Sequence, residues 1–378
     1  MIPKKIFYFI LFIILVGIFL FVFFLSKKNF AWDASMRKLS SQNSDFSIID
    51  IRYGSDSQQK GVLAIPNSGK NFPILIFFPG GGYTSATIGD NPFALVDLYE
   101  ALHCNRGKIA VAKFTYRLAP KNRWPAQLED AIAAVKKIRE IASQHNLDSD
   151  NIIIMGHSAG AHLALMTGLQ SPSVFGNNFS GFRGIINYSG ITNFQVNNAT
   201  ILNIAKNLGL NTKDKKIKAS PLSILKVSSP PIFTLHGKAD NVIPFGQAEQ
   251  LVNKMVVKKV KGAFLPVENG NHVYQPGNPA LPMLPDRKTI AQKAIMFARY
   301  NFGTIPAYDV TGDGHIDILD YNEIVAAQGS FGFKVTNRTV IGMSKNWNPF
   351  ADINYDGFVN NIDVQLILSK IGGINDPN

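Results

Sequence analysis

Ten residues constrain this chain more than any others: Asn151-Ile152-Ile153-Ile154-Met155-Gly156-His157-Ser158-Ala159-Gly160. Three β-branched side chains and a methionine in a row read as a strand buried on both faces. The strand runs straight into G-x-S-x-G, and the small and apolar residues 161–169 that follow read as a helix. Strand, turn and helix in that order form an elbow that lifts one serine above the end of a sheet. The turn leaves no room for side chains on its flanks, so glycine stands at both ends. Ser158 is the candidate nucleophile.

A serine hydroxyl attacks poorly until a base takes its proton and an acid orients the base. Behind an elbow of this kind the chain order is nucleophile, acid, base. That order removes His103, His145, His157 and His162, which precede any downstream acid. His236 lies inside Pro231-Ile232-Phe233-Thr234-Leu235-His236-Gly237-Lys238-Ala239-Asp240 and reads as a satisfied structural histidine. His315 belongs to a C-terminal loop of another kind. His272 is left as general base, in the polar turn Glu268-Asn269-Gly270-Asn271-His272 after the apolar run 262–267. Asp240 is preferred over Asp214, Glu249, Glu268 and Asp286 because it alone follows an apolar strand at a loop. A further apolar strand, 74–78, ends in Pro79-Gly80-Gly81-Gly82-Tyr83. Three glycines in succession let backbone amides face a developing negative charge with no side chain between.

On these residues, 46–304 resemble the esterase branch of the α/β-hydrolase family, with its hormone-sensitive-lipase-like and feruloyl- or acetyl-esterase-like enzymes. Phe114-Thr115-Tyr116-Arg117-Leu118-Ala119-Pro120 and Trp124-Pro125-Ala126-Gln127-Leu128-Glu129-Asp130 are similar to the family's YRLAP…PAxxED segment, and 237–244 to its acid loop. The resemblance implies an α/β-hydrolase fold, a mostly parallel sheet flanked by helices, and a serine carboxylic-ester hydrolase working through an acyl-enzyme without a catalytic cofactor. It also implies the amides of Gly81, Gly82 and Ala159 as oxyanion donors. One departure is Pro79, which stands where the family's HGGG places histidine and so removes a bracing hydrogen bond. The same triad serves formamidase-like amide hydrolases and peptidases, which stay as alternatives. A reading of another class makes the domain an inactive part of a scaffold or adhesion protein; the intact serine, acid, histidine and glycine run favour the enzyme.

The C-terminus is an internal duplication. Oxygen side chains recur at positions 1, 3, 5, 9 and 12 of two loops: Asp309, Thr311, Asp313, Asp317 and Asp320 in the first, Asp352, Asn354, Asp356, Asn360 and Asp363 in the second. Glycine at position 6 makes the sharp turn, and position 7, His315 or Phe358, offers its backbone carbonyl. This is the spacing with which a twelve-residue EF-hand-like loop surrounds one calcium ion. Apolar helix-like runs follow at 321–327 and 364–371. The pair, about 305–373, resembles a type I dockerin, which implies two structural calcium ions and a cohesin-type protein partner in extracellular polysaccharide degradation. The repeats start 43 residues apart, at 309 and 352, with a long insert over 329–349. Positions 10 and 11, commonly the partner-reading pair, are Ile318-Leu319 and Asn361-Ile362.

At the other end, residues 6–25 are twenty residues without a charge, enough at about 1.5 Å each to cross the ~30 Å core of a bilayer. The expectation is a signal anchor over 1–28, a basic tether over 29–45, and the remaining domains extracytoplasmic; secretion after cleavage is the alternative. The charges of Lys4 and Lys5 against Lys27, Lys28, Arg37 and Lys38 favour the opposite topology, so the placement rests on the calcium loops. The net charge of +12 is uneven. Residues 305–378 carry nine acids and four bases, a net of −5, which leaves +17 for the rest. No nucleic-acid motif accompanies that surplus. Cys104 is the single cysteine, which excludes an intrachain disulfide.

Overall fold

A computed structural model describes residues 46–86, 109–304, 309–311, 315–330, 334–336, 339–341, 348, 351–353 and 359–371. Its centre is an eight-stranded sheet: β1 (Phe46–Arg52), β2 (Lys60–Pro66), β3 (Phe72–Phe78), β4 (Ala110–Phe114), β5 (Leu147–His157), β6 (Gly184–Tyr188), β7 (Ile232–Gly237) and β8 (Gly262–Val267). The spatial order is β1-β2-β4-β3-β5-β6-β7-β8. Only β2 runs against the others, pairing antiparallel with β1 and β4, while β4 through β8 are parallel.

Parallel strands need crossovers, and helices fill both faces. They are α1 (Ala126–Ile141), α2 (Ala159–Gly168), α3 (Ala199–Asn207), α4 (Gly246–Lys258) and α5 (Arg287–Phe302). All seven side chains of β3 are buried, and the period of two divides them between two cores. Ile74, Ile76 and Phe78 pack with Val135 and Ile138 of α1 and Leu163 of α2. Leu75 and Phe77 face the other way, with Ile290, Ala294 and Phe297 of α5. A strand with no polar face is stable only between two layers, and this fixes the site to the sheet's carboxyl edge.

Beyond residue 304 are α6 (Ile318–Ala327) and α7 (Asn361–Ile371). Both start three residues earlier than the apolar runs suggest, because position 9 of each loop is the helix cap: Leu319 N–H donates to the Asp317 carboxylate, and Ile362 N–H to the Asn360 side-chain oxygen. Val310, Ile324, Ala327, Ala351, Val359 and Ile367 form a small core of their own. The long insert contains an antiparallel pair, Lys334–Thr336 with Thr339–Ile341. The anchor and tether expected over 1–45, and Cys104, lie outside the described residues; among the described residues no helix is long and apolar enough to cross a membrane.

Candidate active site

β5 ends at His157, and Ser158 takes φ 55° and ψ −120° before α2 begins at Ala159. A non-glycine residue in that region is strained, and tight packing around it holds the strain in place. A Cβ on Gly156 would stand 2.2 Å from the carbonyl oxygen of Gly160, and one on Gly160 would stand 2.1 Å from that of Phe78. Both glycines are therefore sterically required. Ser158 N–H donates to the Tyr188 carbonyl at 2.9 Å, which ties the turn to β6.

Asp240 sits in the turn after β7, and His272 in the turn after β8. The His272 Nδ1–H donates to Asp240 Oδ2 at 2.7 Å. Asp240 Oδ1 accepts the amides of Val242 and Ile243, each at 2.9 Å. Burial by itself would raise the Asp240 pKa, but hydrogen bonds from His236 and His272 outweigh it and hold the carboxyl below the ordinary carboxylate range. With Nδ1 donating, a neutral His272 keeps a bare Nε2, the lone pair that a general base uses. Tyr274, fully buried, donates its hydroxyl to the Leu235 carbonyl and pins the His272 loop to the sheet. The acid and base turns also interlock, since Ala239 N–H donates to the Gly270 carbonyl at 2.9 Å.

Ser158 and His272 line one cleft of about 500 Å³, together with Gly80, Gly81 and Gly82. Gly81 at φ 120° and Gly82 at φ 57° use the freedom that glycine has. A Cβ on Gly81 would meet the Ser85 carbonyl at 2.1 Å. Ala159 opens α2, so its N–H belongs to the first turn, whose amides have no partner within the helix and sit at the positive end of its dipole.

Four buried side chains were not legible as site residues. The brace missing with Pro79 is supplied from elsewhere: Tyr116 donates its hydroxyl to the Pro79 carbonyl at 2.7 Å. Tyr83, after the glycines at φ 65°, donates to His162 Nδ1, while His162 Nε2–H donates to the Ala219 carbonyl at 2.7 Å. His157 donates from Nε2 to the His272 carbonyl at 2.8 Å, its ring 4.8 Å from that of His272. Burial drives the His157 pKa down to about 3, with His272 adding to the effect, and burial takes His162 to about 4. The reading of His236 as a satisfied histidine needs correction. Its Nε2–H donates to the Ile243 carbonyl at 2.8 Å and lies 3.3 Å from Asp240 Oδ2, but its buried Nδ1 has no partner. It is a second imidazole on the acid.

In the C-terminal module, Asp309, Asp320, Asp352 and Asp363 are each 5% exposed or less. Thr311 Oγ1 lies 3.3 Å from Asp309 Oδ1 and 3.1 Å from Asp320 Oδ1, so positions 1, 3 and 12 converge in the first loop. Asp320 and Asp363 accept the N–H of Asp317 and Asn360, both at 2.9 Å, the same bond in each repeat. Buried carboxylates gathered on hard oxygen donors are costly unless a cation joins them, and the donor set suits calcium. Asp313, Asn354, Asp356 and Phe358 lie outside the described residues. Among the described residues no group of three His, Cys, Asp or Glu side chains is placed to hold a metal.

The elbow, the buried carboxylate with its imidazole, and the glycine turn share one sheet edge, the arrangement of the α/β-hydrolase fold, and the proteins this chain resembles include esterases of that type. The chain belongs to the BD-FAE family, whose profile matches residues 62–255, just over half of it. A dockerin type I domain matches residues 307–372, and such domains bind calcium. Esterase LipQ of Mycobacterium tuberculosis is 28% identical over 229 residues, 56% of this chain and 52% of that protein. Endo-1,4-beta-xylanase B of Butyrivibrio fibrisolvens is 29% identical over 210 residues, 52% of this chain and 32% of that one. The chain thus spans about half or less of these relatives' lengths. Among solved structures, a truncated carbohydrate esterase from gut microbiota superposes with a TM-score of 0.55 at 19% identity, over 68% of this chain and 98% of that one. An acetyl ester-xyloside bifunctional hydrolase from Caldicellulosiruptor lactoaceticus gives 0.51 at 21% identity, over 59% of this chain and 87% of that one. These two likenesses establish the fold.

Proposed function

We propose that residues 46–304 cleave acyl esters carried on polysaccharide, acetyl or feruloyl groups among them, through a covalent intermediate on Ser158. Ser158 Oγ attacks the ester carbonyl carbon as its proton passes to His272 Nε2. The carbonyl oxygen takes up the electron pair and is held by the amides of Gly81, Gly82 and Ala159. The intermediate collapses, the bond to the alcohol oxygen breaks, and His272 returns the proton to that oxygen. Water then repeats the sequence on the acyl-enzyme, leaving a carboxylic acid and free Ser158. Asp240 stays ionised throughout and stabilises the imidazolium that forms twice in each turnover.

The observation that carries this reading is the 2.7 Å His272–Asp240 bond on a carboxylate that burial has not neutralised, across a cleft from a serine at φ 55°. The polysaccharide part is supported by the likeness to an endo-1,4-beta-xylanase and to a carbohydrate esterase. The accompanying dockerin-type module supports it too. In this reading residues 305–373 form a module that holds two calcium ions on the two oxygen sets and docks a cohesin-type partner, while 6–25 anchor the chain with both domains extracytoplasmic. The test is hydrolysis of p-nitrophenyl acetate and acetylated xylan by the full chain. Turnover of both that disappears in Ser158→Ala is expected; turnover that persists in that variant would overturn the assignment.

A further inference from the structure

One wall of the cleft is a single face of α3. Thr200, Asn203, Ile204 and Asn207 recur at the i, i+3, i+4, i+7 spacing of one helical stripe, and all four line the cleft. The helix is held rigidly from behind. Ile201, Ala205 and Leu208 are buried in the main core, and Asn198 caps the N-terminus by accepting the Ile201 amide at 3.0 Å. The stripe also stands beside the reacting atoms, since a Cβ built on Gly82 would find Ile204 Cγ1 as its nearest neighbour, at 3.9 Å.

The chemistry of this wall is selective. Thr200, Asn203 and Asn207 line the cleft, and among the described residues their side chains form no hydrogen bond with a neighbour. Of the described residues that line the cleft, none is Asp, Glu, Lys or Arg. A wall that receives a long acyl chain would be apolar, and this one offers only Ile204. A wall that selects a charged alcohol would carry an opposite charge. Neutral amides and a hydroxyl instead match a neutral ring bearing several hydroxyl groups, because each amide offers two donors and an acceptor to neighbouring hydroxyls.

Resting on the proposed esterase reading and deepening it, we infer that the Thr200–Asn203–Asn207 face of α3 is the subsite for the sugar ring of the alcohol half of the substrate, and so sets specificity for acyl esters of neutral sugars. An acetyl group has no hydroxyls to offer, so on an acetylated sugar the hydroxyls that reach this wall belong to the alcohol.

The discriminating quantity is a ratio of kcat/KM values: a monoacetate of methyl β-xyloside over cyclohexyl acetate, a ring of similar size without hydroxyls. Wild-type full-length protein should favour the xyloside ester. In Asn203→Ala with Asn207→Ala the ratio should fall by roughly 10-fold, about what losing two ordinary hydrogen bonds gives. The fall should appear mainly in KM, because these contacts hold the substrate before and during the reaction alike. Leu202→Ala, on the solvent side of the same helix, should leave the ratio where it was. A ratio that the double variant does not change, or that Leu202→Ala lowers equally, overturns the subsite. Should wild type hydrolyse cyclohexyl acetate yet show no preference for the xyloside ester, the subsite falls and the esterase stands. Hydrolysis of neither ester would remove the esterase reading itself.

Discussion

The molecule buries carboxylates in two places and manages them in opposite ways. Asp240 meets its partners within the fold: two backbone amides on one oxygen and the rings of His272 and His236 on the other. Its charge is settled before any ligand arrives. In the C-terminal loops, Asp309 and Asp320 share one threonine hydroxyl, and Asp352 and Asp363 are buried in the matching positions of the second repeat. Carboxylates brought that close repel one another until a cation enters. The first arrangement is preorganised and the second is completed by its ligand, so the two regions should respond differently to mutation, chelation and acid.

The largest effects should come from breaking the preorganised side. His272→Ala should cost roughly 10⁵- to 10⁶-fold in kcat, and Asp240→Asn roughly 10⁴-fold, because the base fails outright in one and loses only its orientation in the other. Steady-state turnover of p-nitrophenyl acetate measures both; a loss under 100-fold in either would break the comparison. Next comes the elbow itself. Gly156→Ala places a methyl 2.2 Å from a backbone oxygen that cannot move without displacing α2, and should destabilise the hydrolase domain by about 3 kcal/mol, the upper end of ordinary overpacking. Chemical denaturation followed by tryptophan fluorescence would show it, and an unchanged midpoint would contradict it.

Chelation sharpens the contrast from the other side. Calcium at a hundredfold excess over its dissociation constant should stabilise each loop by about 2.7 kcal/mol, and a chelator should remove that stabilisation while ester hydrolysis continues. Asp309→Ala with Asp320→Ala should abolish one calcium site and keep the other. Calorimetric titration of the full chain would decide it: two sites in the wild type and one in the variant are expected, and no calcium-dependent heat would mean that the loops are only turns.

A last contrast concerns acid stability. His157 and His162 are held near pKa 3 and 4 in the fold against 6.5 when unfolded. Between those values the unfolded chain binds protons that the folded one refuses, so stability falls as pH drops below about 6.5. The slope should be on the order of 1.4 kcal/mol per pH unit for each histidine. Asp240 acts in the same direction at lower pH: its depressed pKa stabilises the fold above the ordinary carboxylate range and ceases to do so as the folded pKa is passed. Melting curves from pH 7 to pH 4 should be steeper for wild type than for His157→Asn. Equal slopes would remove the buried-imidazole account.

Much of this was readable from the chain because the elbow's constraints are local. Gly156, Ser158 and Gly160 lie within five residues, and the strand before them is apolar enough to have only one home. The order of acid and base brought Asp240 and His272 together although 32 residues separate them. What the sequence concealed were contacts made across the fold. Nothing in Pro79 announces that Tyr116 and Tyr83 take over the bracing, because those bonds join residues up to 79 positions apart. His236 looked satisfied because strand position predicts burial and says nothing about which ring nitrogen finds a partner. The short strand pair in the C-terminal insert was missed for another reason: three residues on each side carry too little periodicity to read.

The central claim is that Ser158 is made nucleophilic by His272 and Asp240 within the fold, independently of calcium. Labelling the full-length protein with a fluorophosphonate in the presence of chelator, followed by peptide mass spectrometry, tests it directly. The account predicts a single stoichiometric adduct on Ser158 with complete loss of ester hydrolysis, and almost no labelling in His272→Ala. An active enzyme that takes up no label, or one inactivated by an adduct on a different serine, would contradict it.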